Sequence, residues 1–338
     1  MRRSLNAIAT VSALVATVAL VGPAAHAAEN ITAGGSSFAA NILQTCAASY
    51  TADKITYASV GSGTGRNNFT SGTYDFGATD APYAATDKKP ESFTYVPLIG
   101  GPIAIVFKVD GVTSLNLSAK VLGGILNGRY TMWNDDEIKA LNPKAALPNK
   151  AINVVYRSGS SGTTQNLANF LRGNGASGYK DSGTWATASA QSTPVGISAS
   201  NAQAVVTTVT STPNSIGYAD LSDAASKGLP FAALRNPSGA FVKPTVASAS
   251  KFLAAQKVLP NGILDIDYKK NVAGGYNASL VTYALAPTAN GGAKGTAIKK
   301  FLTYVINSCA PAKGPGLNYA PLAAALKAKA LALVATVK

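Results

Sequence analysis

The sequence predicts an α/β protein with mostly parallel sheets, arranged as two lobes. Short β-branched runs alternate with helical patterns along the chain, which is typical of strands that are each followed by a helix. At 338 residues the chain is long enough for two lobes with separate cores. Segments rich in glycine and serine stand where predicted strands lead into predicted helices.

Four apolar runs have the length and the β-branched composition of buried strands. They cover residues 55–60, 103–107, 152–156 and 281–285.

Three segments predict amphipathic helices, because their apolar residues recur at helical spacing. The first has an apolar face of Phe38, Ile42, Leu43 and Cys46, and the second one of Ile298, Phe301, Leu302 and Val305. The third is expected to begin at Pro321, a residue type favoured at helix starts, and to carry Leu322, Leu326, Leu331 and Leu333.

Residues 1–27 have the organisation of a secretory signal peptide. Arg2 and Arg3 form a positive start, residues 7–21 are mostly apolar, and the triplet at 25–27 is a small-x-small cleavage pattern. The apolar run is too short to span a membrane, and Pro23 ends it. We expect cleavage after Ala27 and export of a soluble chain, periplasmic or extracellular, with no cysteine at the cleavage site to carry a lipid anchor.

The content of histidine and cysteine excludes several kinds of site. The only histidine, His26, lies before the expected cleavage point, which excludes histidine triads and imidazole acid–base chemistry from the mature chain. Two cysteines, Cys46 and Cys309, are too few for a thiolate zinc site. In an oxidising compartment a disulfide between them is favoured, with two separately buried thiols as the alternative.

The chain is strongly basic, with 29 lysines and arginines against 15 aspartates and glutamates. Such a surface attracts anions over long distances. The basic residues are scattered, without the interleaved aromatic residues of a nucleic-acid surface, so we expect no nucleic-acid partner. The charge by itself would equally fit a protein attached to an anionic cell envelope.

Three loops combine glycine with hydroxyl residues at predicted helix N-termini, at positions 34–37, 61–65 and 158–164. The first N–H groups of a helix lack partners and favour an anion, and glycine allows its close approach. Ordinary N-capping by serine and threonine is the alternative for each loop. The occurrence of three such loops in one chain favours an anion-binding site.

Two charged residues sharpen this hypothesis. Arg157 leads directly into the third loop, and its guanidinium can bind two oxygens of a tetrahedral anion. Asp80 would accept a hydrogen bond from a protonated anion such as phosphate and would repel a fully deprotonated one such as sulfate. A surface role for Arg157 and a turn role for Asp80 are the alternatives.

An ordered set of motifs resembles the phosphate-binding subunit of the bacterial high-affinity phosphate ABC transporter, and it extends over nearly the whole mature chain. The motifs are ITAGGSSF at 31–38, GSGTG at 61–65, DFGATDAP at 75–82, LIGGP at 98–102, the segment 124–138, RSGSSGTT at 157–164, SIGY at 215–218 and LNYA at 317–320.

The resemblance implies a type II periplasmic-binding-protein fold, in which crossover strands join two lobes and the ligand lies in the cleft between them. The first lobe would comprise residues 28–98 and 273–338, and the second residues 99–272. The resemblance also implies a monomer without cofactor or catalysis, which delivers inorganic phosphate to the membrane subunits of an ABC permease.

The residues that match the family's phosphate ligands are Ser37, Phe38 through its backbone, Ser62, Asp80, Arg157, Ser161, Gly162 and Thr163. Two positions depart from the family pattern. Ser37-Phe38-Ala39 replaces the usual Thr-Phe-Pro, which keeps the hydroxyl. Gly159 stands where relatives often carry an aspartate that pairs with the arginine. We therefore expect Arg157 either to be less firmly held, with weaker affinity for the ligand, or to be oriented by another group.

Three other functions remain open from the residues. One is a free extracellular binding protein for phosphate or another oxyanion that serves no permease. The second is a secreted serine hydrolase of phosphoesters with Ser160 or Ser161 as nucleophile, although the mature chain lacks histidine and a Gly-x-Ser-x-Gly elbow. The third is a basic envelope protein in which the loops only cap helices.

Overall fold

The structure is a computed structural model that describes residues 28–338. The predicted signal peptide at 1–27 lies outside these residues. Within them, no helix is long and apolar enough to cross a membrane.

Strands and helices alternate along most of the described chain, as the sequence predicts. The strands are β1 (Asn30–Gly35), β2 (Lys54–Ser59), β3 (Phe76–Thr79), β4 (Phe93–Lys108), β5 (Asn116–Leu117), β6 (Asn153–Arg157), β7 (Ile197–Ala199), β8 (Ser215–Asp220), β9 (Ala233–Arg235), β10 (Phe241–Val242), β11 (Lys257–Val258), β12 (Leu264–Asp265) and β13 (Ser279–Pro287). The four predicted strands are confirmed as β2, part of β4, β6 and part of β13.

The helices are α1 (Ala40–Ser49), α2 (Ser62–Thr70), α3 (Ala119–Leu126), α4 (Asp136–Lys139), α5 (Gly162–Gly173), α6 (Trp185–Ala188), α7 (Ala202–Ser211), α8 (Leu221–Ser226), α9 (Val246–Ala254), α10 (Gly292–Tyr304), α11 (Ala310–Lys313) and α12 (Ala324–Val334). A π-helical segment, Val305–Cys309, follows α10, and a short 3-10 helix, Pro315–Leu317, follows α11.

Eight strands form one continuous sheet in the order β2-β1-β3-β13-β4-β8-β6-β7. Parallel pairs form both ends of this sheet, where β1 lies between β2 and β3, and β6 lies between β7 and β8. The two central strands, β13 and β4, run antiparallel to their neighbours. The sheet is therefore mixed, with its parallel pairs in two separate groups.

The long strand β4 connects the two groups. Its residues 93–102 pair with β13, and its residues 103–108 pair with β8. Nearly all of its side chains are buried, which explains why this segment reads as a continuous apolar run. A sheet of this kind, shared between two groups of parallel strands, is the architecture of two lobes joined by crossover strands.

Two predicted helix starts are wrong. Helix α1 begins at Ala40, so Phe38 is buried in the loop before it. The last helix begins at Ala324 and not at Pro321. The backbone before it is extended, because Ala320 and Gly100 exchange two N–H···O bonds of 2.8 Å in an antiparallel bridge. Because this bridge to β4 requires extended backbone at Ala320, the helix can begin only after it.

A disulfide joins Cys46 in α1 to Cys309 at the end of the π-helical segment, with the two Cα atoms 5.7 Å apart. Both residues are buried in the core that also contains Phe301 and Leu302. The bond therefore connects the beginning and the end of the described chain.

Candidate functional site

Asp80 follows β3 directly, and its carboxylate is surrounded by hydroxyl groups. The side chain is buried, with 4% of its surface exposed. Oδ1 accepts hydrogen bonds from Ser36 Oγ and, at 2.7 Å, from Thr282 Oγ1. Oδ2 has only two long contacts, to Ser62 Oγ at 3.3 Å and Thr163 Oγ1 at 3.4 Å. One oxygen is thus firmly held, and the other can still accept a strong hydrogen bond.

Burial raises the pKa of the Asp80 carboxyl, since a charge is poorly stabilised away from water. Hydrogen bonds from the Ser36, Thr282 and Ser62 hydroxyls oppose this shift, as does the charge of Arg157. The surroundings of Asp80 are therefore built to offset the cost of a buried carboxylate.

Arg157 is the last residue of β6, and its side chain is 2% exposed. Nη1 donates to Ser37 Oγ at 3.0 Å and to Ser161 Oγ at 3.1 Å. Nε is buried and has no hydrogen-bond partner among residues 28–338. Burial lowers the pKa of the guanidinium, while the nearby charges of Asp80 and Asp220 act in the opposite direction. Arg157 is thus a buried cation held by neutral groups, and it retains unused capacity to donate hydrogen bonds.

The first loop contributes Ser37 and Phe38. Ser37 Oγ, besides its bond from Arg157, lies 3.3 Å from the backbone N of Ala202 at the start of α7. The ring of Phe38 is fully buried and packs edge-on against Tyr319, whose hydroxyl donates to the Phe38 carbonyl at 2.7 Å. These contacts fix the backbone of the loop beside the site.

The second and third loops begin helices, as predicted. Ser62 is the first residue of α2, and its Oγ also accepts from the N–H of Asp80 at 3.1 Å. Ser161 is the N-cap of α5, and its Oγ accepts from the N–H of Thr164 at 3.2 Å. The capping role considered for the loop is therefore real for Ser161, which also contacts Arg157.

The loops approach one another closely, which requires glycine at position 162. A Cβ atom on Gly162 would lie 2.7 Å from both Asp80 Cβ and Ser62 Oγ. The N–H of Gly63 also donates to the carbonyl of Ser160 at 3.1 Å. Residues from the two groups of parallel strands thus meet around one small volume.

The structure brings the predicted residues together, and it also shows how Arg157 is oriented without an aspartate at position 159. Gly159 is exposed, and a Cβ there would meet nothing within 4 Å. The hydroxyls of Ser37 and Ser161 take the orienting role that the sequence leaves open.

Two tyrosines from the more distant motifs, Tyr218 and Tyr319, form hydrogen bonds with the backbone of site residues. Tyr218 accepts from the N–H of Arg157 at 3.2 Å, and its hydroxyl is 2.8 Å from Thr164 Oγ1. Tyr319 supports Phe38 as described above. Both tyrosines therefore set the backbone of site residues and do not line the site with their own polar atoms.

Sequence reasoning missed three residues of the Asp80 environment: Ser36, Thr282 and Asn166. Ser36 stands within the first predicted loop and could have been found there. Asn166 lies on the predicted helix after the third loop, and its Nδ2 donates to the Asp80 carbonyl at 2.8 Å. Thr282 lies in the middle of β13, where nothing in the local sequence distinguishes it from an ordinary strand residue.

Comparison with known proteins identifies the family to which the chain belongs. A family model described as a PBP superfamily domain matches residues 22–308. The chain is 32% identical over 284 residues to the phosphate-binding protein PstS 2 of Mycobacterium tuberculosis, which covers 79% of this chain and 72% of that protein. It is 36% identical over 238 residues to PstS of Pasteurella multocida, which covers 68% and 66%.

A solved structure of the high-affinity periplasmic phosphate-binding protein PfluDING, bound with phosphate, has the same fold. It superposes with a TM-score of 0.73 at 23% identity, and the match covers 90% of this chain and 93% of that one. By sequence and by fold, this chain belongs to the PBP superfamily and, within it, to the PstS-like family of phosphate-binding proteins.

Proposed function

We propose that this protein is an exported binding protein that captures inorganic phosphate between its lobes and delivers it to an ABC-type permease. The observation that carries the proposal is the pair formed by Arg157 and Asp80. A buried guanidinium with a free Nε attracts an anion, and Asp80 Oδ2 accepts a hydrogen bond only from an anion that carries a proton.

The ligand would lie among Ser37, Phe38, Ser62, Asp80, Arg157, Ser161, Gly162 and Thr163. Ser37, Ser161 and Arg157 already form one hydrogen-bonded group, and Ser62, Thr163 and Asp80 form another. Phosphate between them would accept hydrogen bonds from the first group and donate one from its O–H group to Asp80. Sulfate, which has no proton at neutral pH, would face the carboxylate with unpaired repulsion.

The remaining parts of the proposal follow from the family and the strand arrangement. The first lobe comprises residues 28–98 and 273–338, and the second comprises residues 99–272. Closure of these lobes around the ligand would bury it, as is usual for such binding proteins. We infer an exported monomer that carries out no catalysis, with phosphate and permease membrane subunits as its partners.

The test is calorimetry of the wild-type protein and of Asp80→Asn with phosphate, arsenate and sulfate. Wild type should bind phosphate and arsenate and reject sulfate, because only the first two carry a proton at neutral pH. Asp80→Asn should bind sulfate at least as tightly as phosphate, since the repulsion is gone. Asp265→Asn, the same change at an exposed position, is the control and should leave all three affinities unchanged.

Sulfate binding by wild type as tight as phosphate binding would contradict the role of Asp80. Uptake of phosphate by membranes that contain a candidate permease, with and without this protein, tests delivery separately. Turnover of a phosphomonoester that Ser161→Ala abolishes would replace the proposal with a hydrolase.

A further inference from the structure

Asn166 is buried between two site segments, and its amide has three hydrogen bonds. Nδ2 donates to the carbonyl of Asp80 at 2.8 Å and to the carbonyl of Gly162 at 2.8 Å. Oδ1 is in contact with the hydroxyl of Tyr268. Because both carbonyls can only accept, they must face the NH2 group, and Oδ1 must therefore accept from Tyr268.

Tyr268 is itself held rigidly. Its ring stacks on Phe252 with centroids 6.3 Å apart, and Phe170 packs against it edge-on at 6.5 Å. Its carbonyl accepts from Asn174 Nδ2 at 3.0 Å and from Asn277 Nδ2 at 2.9 Å. Burial raises the pKa of the hydroxyl well above its ordinary value, so the hydroxyl remains protonated and can donate at neutral pH.

The contact between Asn166 and Asp80 crosses from helix α5 to the residue that follows β3. It joins the backbone of the carboxylate residue to the first turn of α5, where Gly162 lies against Asp80. Asp80 is thus fixed at its side chain by Ser36 and Thr282 and at its carbonyl by Asn166. Its Oδ2, which has only long contacts to Ser62 and Thr163 within the described residues, is thereby held beside the loop at 161–163.

We propose that Asn166, oriented by Tyr268, is a positioning residue that sets the preference of the site for a protonated oxyanion. It has no place in the ligand set itself, and it acts by fixing where Asp80 presents Oδ2 relative to the loop at 161–163. The inference rests on the proposed function, because it concerns how the same site distinguishes phosphate from sulfate.

The test compares phosphate and sulfate affinities of wild type, Asn166→Ala and Asn169→Ala by calorimetry, with thermal unfolding of each ligand-free protein. Asn169 lies one turn further along the same helix and binds the Asp181 carboxylate at 2.9 Å, so it is the matched control. Asn166→Ala should bind phosphate about tenfold more weakly, the equivalent of one or two lost hydrogen bonds. Sulfate, which wild type should reject, should begin to bind to Asn166→Ala, because Oδ2 is no longer held in place, and Asn169→Ala should match wild type.

Tyr268→Phe provides a second, milder variant that keeps the ring packing. It should weaken phosphate binding about threefold alone and have no additional effect in an Asn166→Ala background, because Tyr268 acts through Asn166. Such non-additivity would not arise from two independent losses of stability.

Two negative results have different meanings. If wild type fails to bind phosphate, the proposed function is wrong and this inference fails with it. If wild type binds phosphate but Asn166→Ala leaves phosphate affinity unchanged, or weakens phosphate binding and still rejects sulfate as wild type does, the positioning role alone is wrong.

Discussion

Nη1 of Arg157 donates a hydrogen bond of 3.0 Å to Oγ of Ser37, a residue 120 positions earlier in the chain. The bond connects the end of β6 to the loop after β1, which lie in the two separate groups of parallel strands. Ser37 is a neutral partner, and the charges of Asp80 and Asp220 act on Arg157 without forming an ion pair with it. Three described ion pairs exist in residues 28–338, and none of them includes Arg157.

Because Arg157 forms no ion pair within the described residues, we expect Arg157→Met to have opposite effects on the stability of the ligand-free and the ligand-bound protein. Removing a buried, unpaired charge should raise the ligand-free unfolding free energy by about 1–2 kcal/mol. Phosphate at 100 times its dissociation constant should stabilise wild type by about 2.7 kcal/mol and the variant not at all. Urea denaturation with and without phosphate measures both quantities.

Arg172→Met is the control, because Arg172 is exposed on the same helix that Ser161 caps. It should resemble wild type in both conditions. A less stable Arg157→Met that phosphate still stabilises would show that the guanidinium does not hold the anion.

Two glycines of the third loop should respond very differently to alanine. In Gly162→Ala the new methyl group would overlap Asp80 Cβ and Ser62 Oγ at 2.7 Å, so the loops must separate. Such overpacking typically costs about 1–3 kcal/mol. Because the strain arises where the loops meet around the ligand, phosphate binding should be weakened by roughly 10- to 100-fold. Gly159→Ala meets open space and should bind as wild type does. Calorimetry of the two variants checks the contrast, and equal affinities would be inconsistent with the close approach of the loops.

Loss of the disulfide should reduce stability without altering the site. Reduction, or the double change Cys46→Ser and Cys309→Ser, removes a cross-link between residues 263 positions apart in the chain. The unfolding free energy should fall by about 2–5 kcal/mol, since the unfolded chain gains conformational freedom. Guanidinium titrations with and without dithiothreitol measure the change. The serine variant should not respond to the reductant, and its phosphate affinity should equal that of wild type while it remains folded.

A second buried carboxyl group, Asp220, predicts a pH dependence of stability. Its Oδ1 accepts from the N–H of Asp223 at 2.8 Å and caps α8, whereas its Oδ2 has no partner among residues 28–338. Burial and the neighbouring Asp223 charge raise the pKa of Asp220 well above its ordinary value. The folded state therefore binds a proton that the unfolded state releases, and its stability falls as pH rises from the unfolded to the folded pKa.

Asp220→Asn removes this titration and retains a capping oxygen. The variant should gain stability relative to wild type at neutral pH and little or none at about pH 3, below the ordinary aspartate pKa of about 3.9, where Asp220 is largely protonated in both the folded and the unfolded state. Urea denaturation over this range gives the difference, with exposed Asp110→Asn as the control. A difference that is constant with pH would contradict a proton bound at Asp220.

Local patterns were sufficient for much of the fold. The strands at 55–60 and 152–156 were predicted within about one residue at each end, because Gly61 follows the first β-branched run and Arg157 follows the second. The start of the last helix could not be predicted, since it depends on pairing between Ala320 and Gly100, which lie far apart in sequence. Phe38 fits the apolar spacing of α1 but is held before it by Tyr319 and the core.

In the site, too, features set by local sequence could be predicted, and features set by contacts between distant residues could not. Loops rich in glycine and hydroxyls could be recognised from composition, and the structure places Ser37, Ser62 and Ser161 in one region. Thr282 could not be recognised, because it reaches Asp80 only through the pairing of β13 with β3. Residues that reach a site through sheet neighbours carry no local signal.

The central position of β13 also determines when the sheet can be completed. The strand is made near the end of synthesis, yet it lies between β3 and β4, which are made early. A nascent chain that ends before Ser279 therefore lacks the strand that joins its first three strands to the rest of the sheet, and Cys46 must wait for Cys309. Contacts between such distant segments form slowly. The order of strands thus postpones completion of the sheet until almost all of the chain has been made.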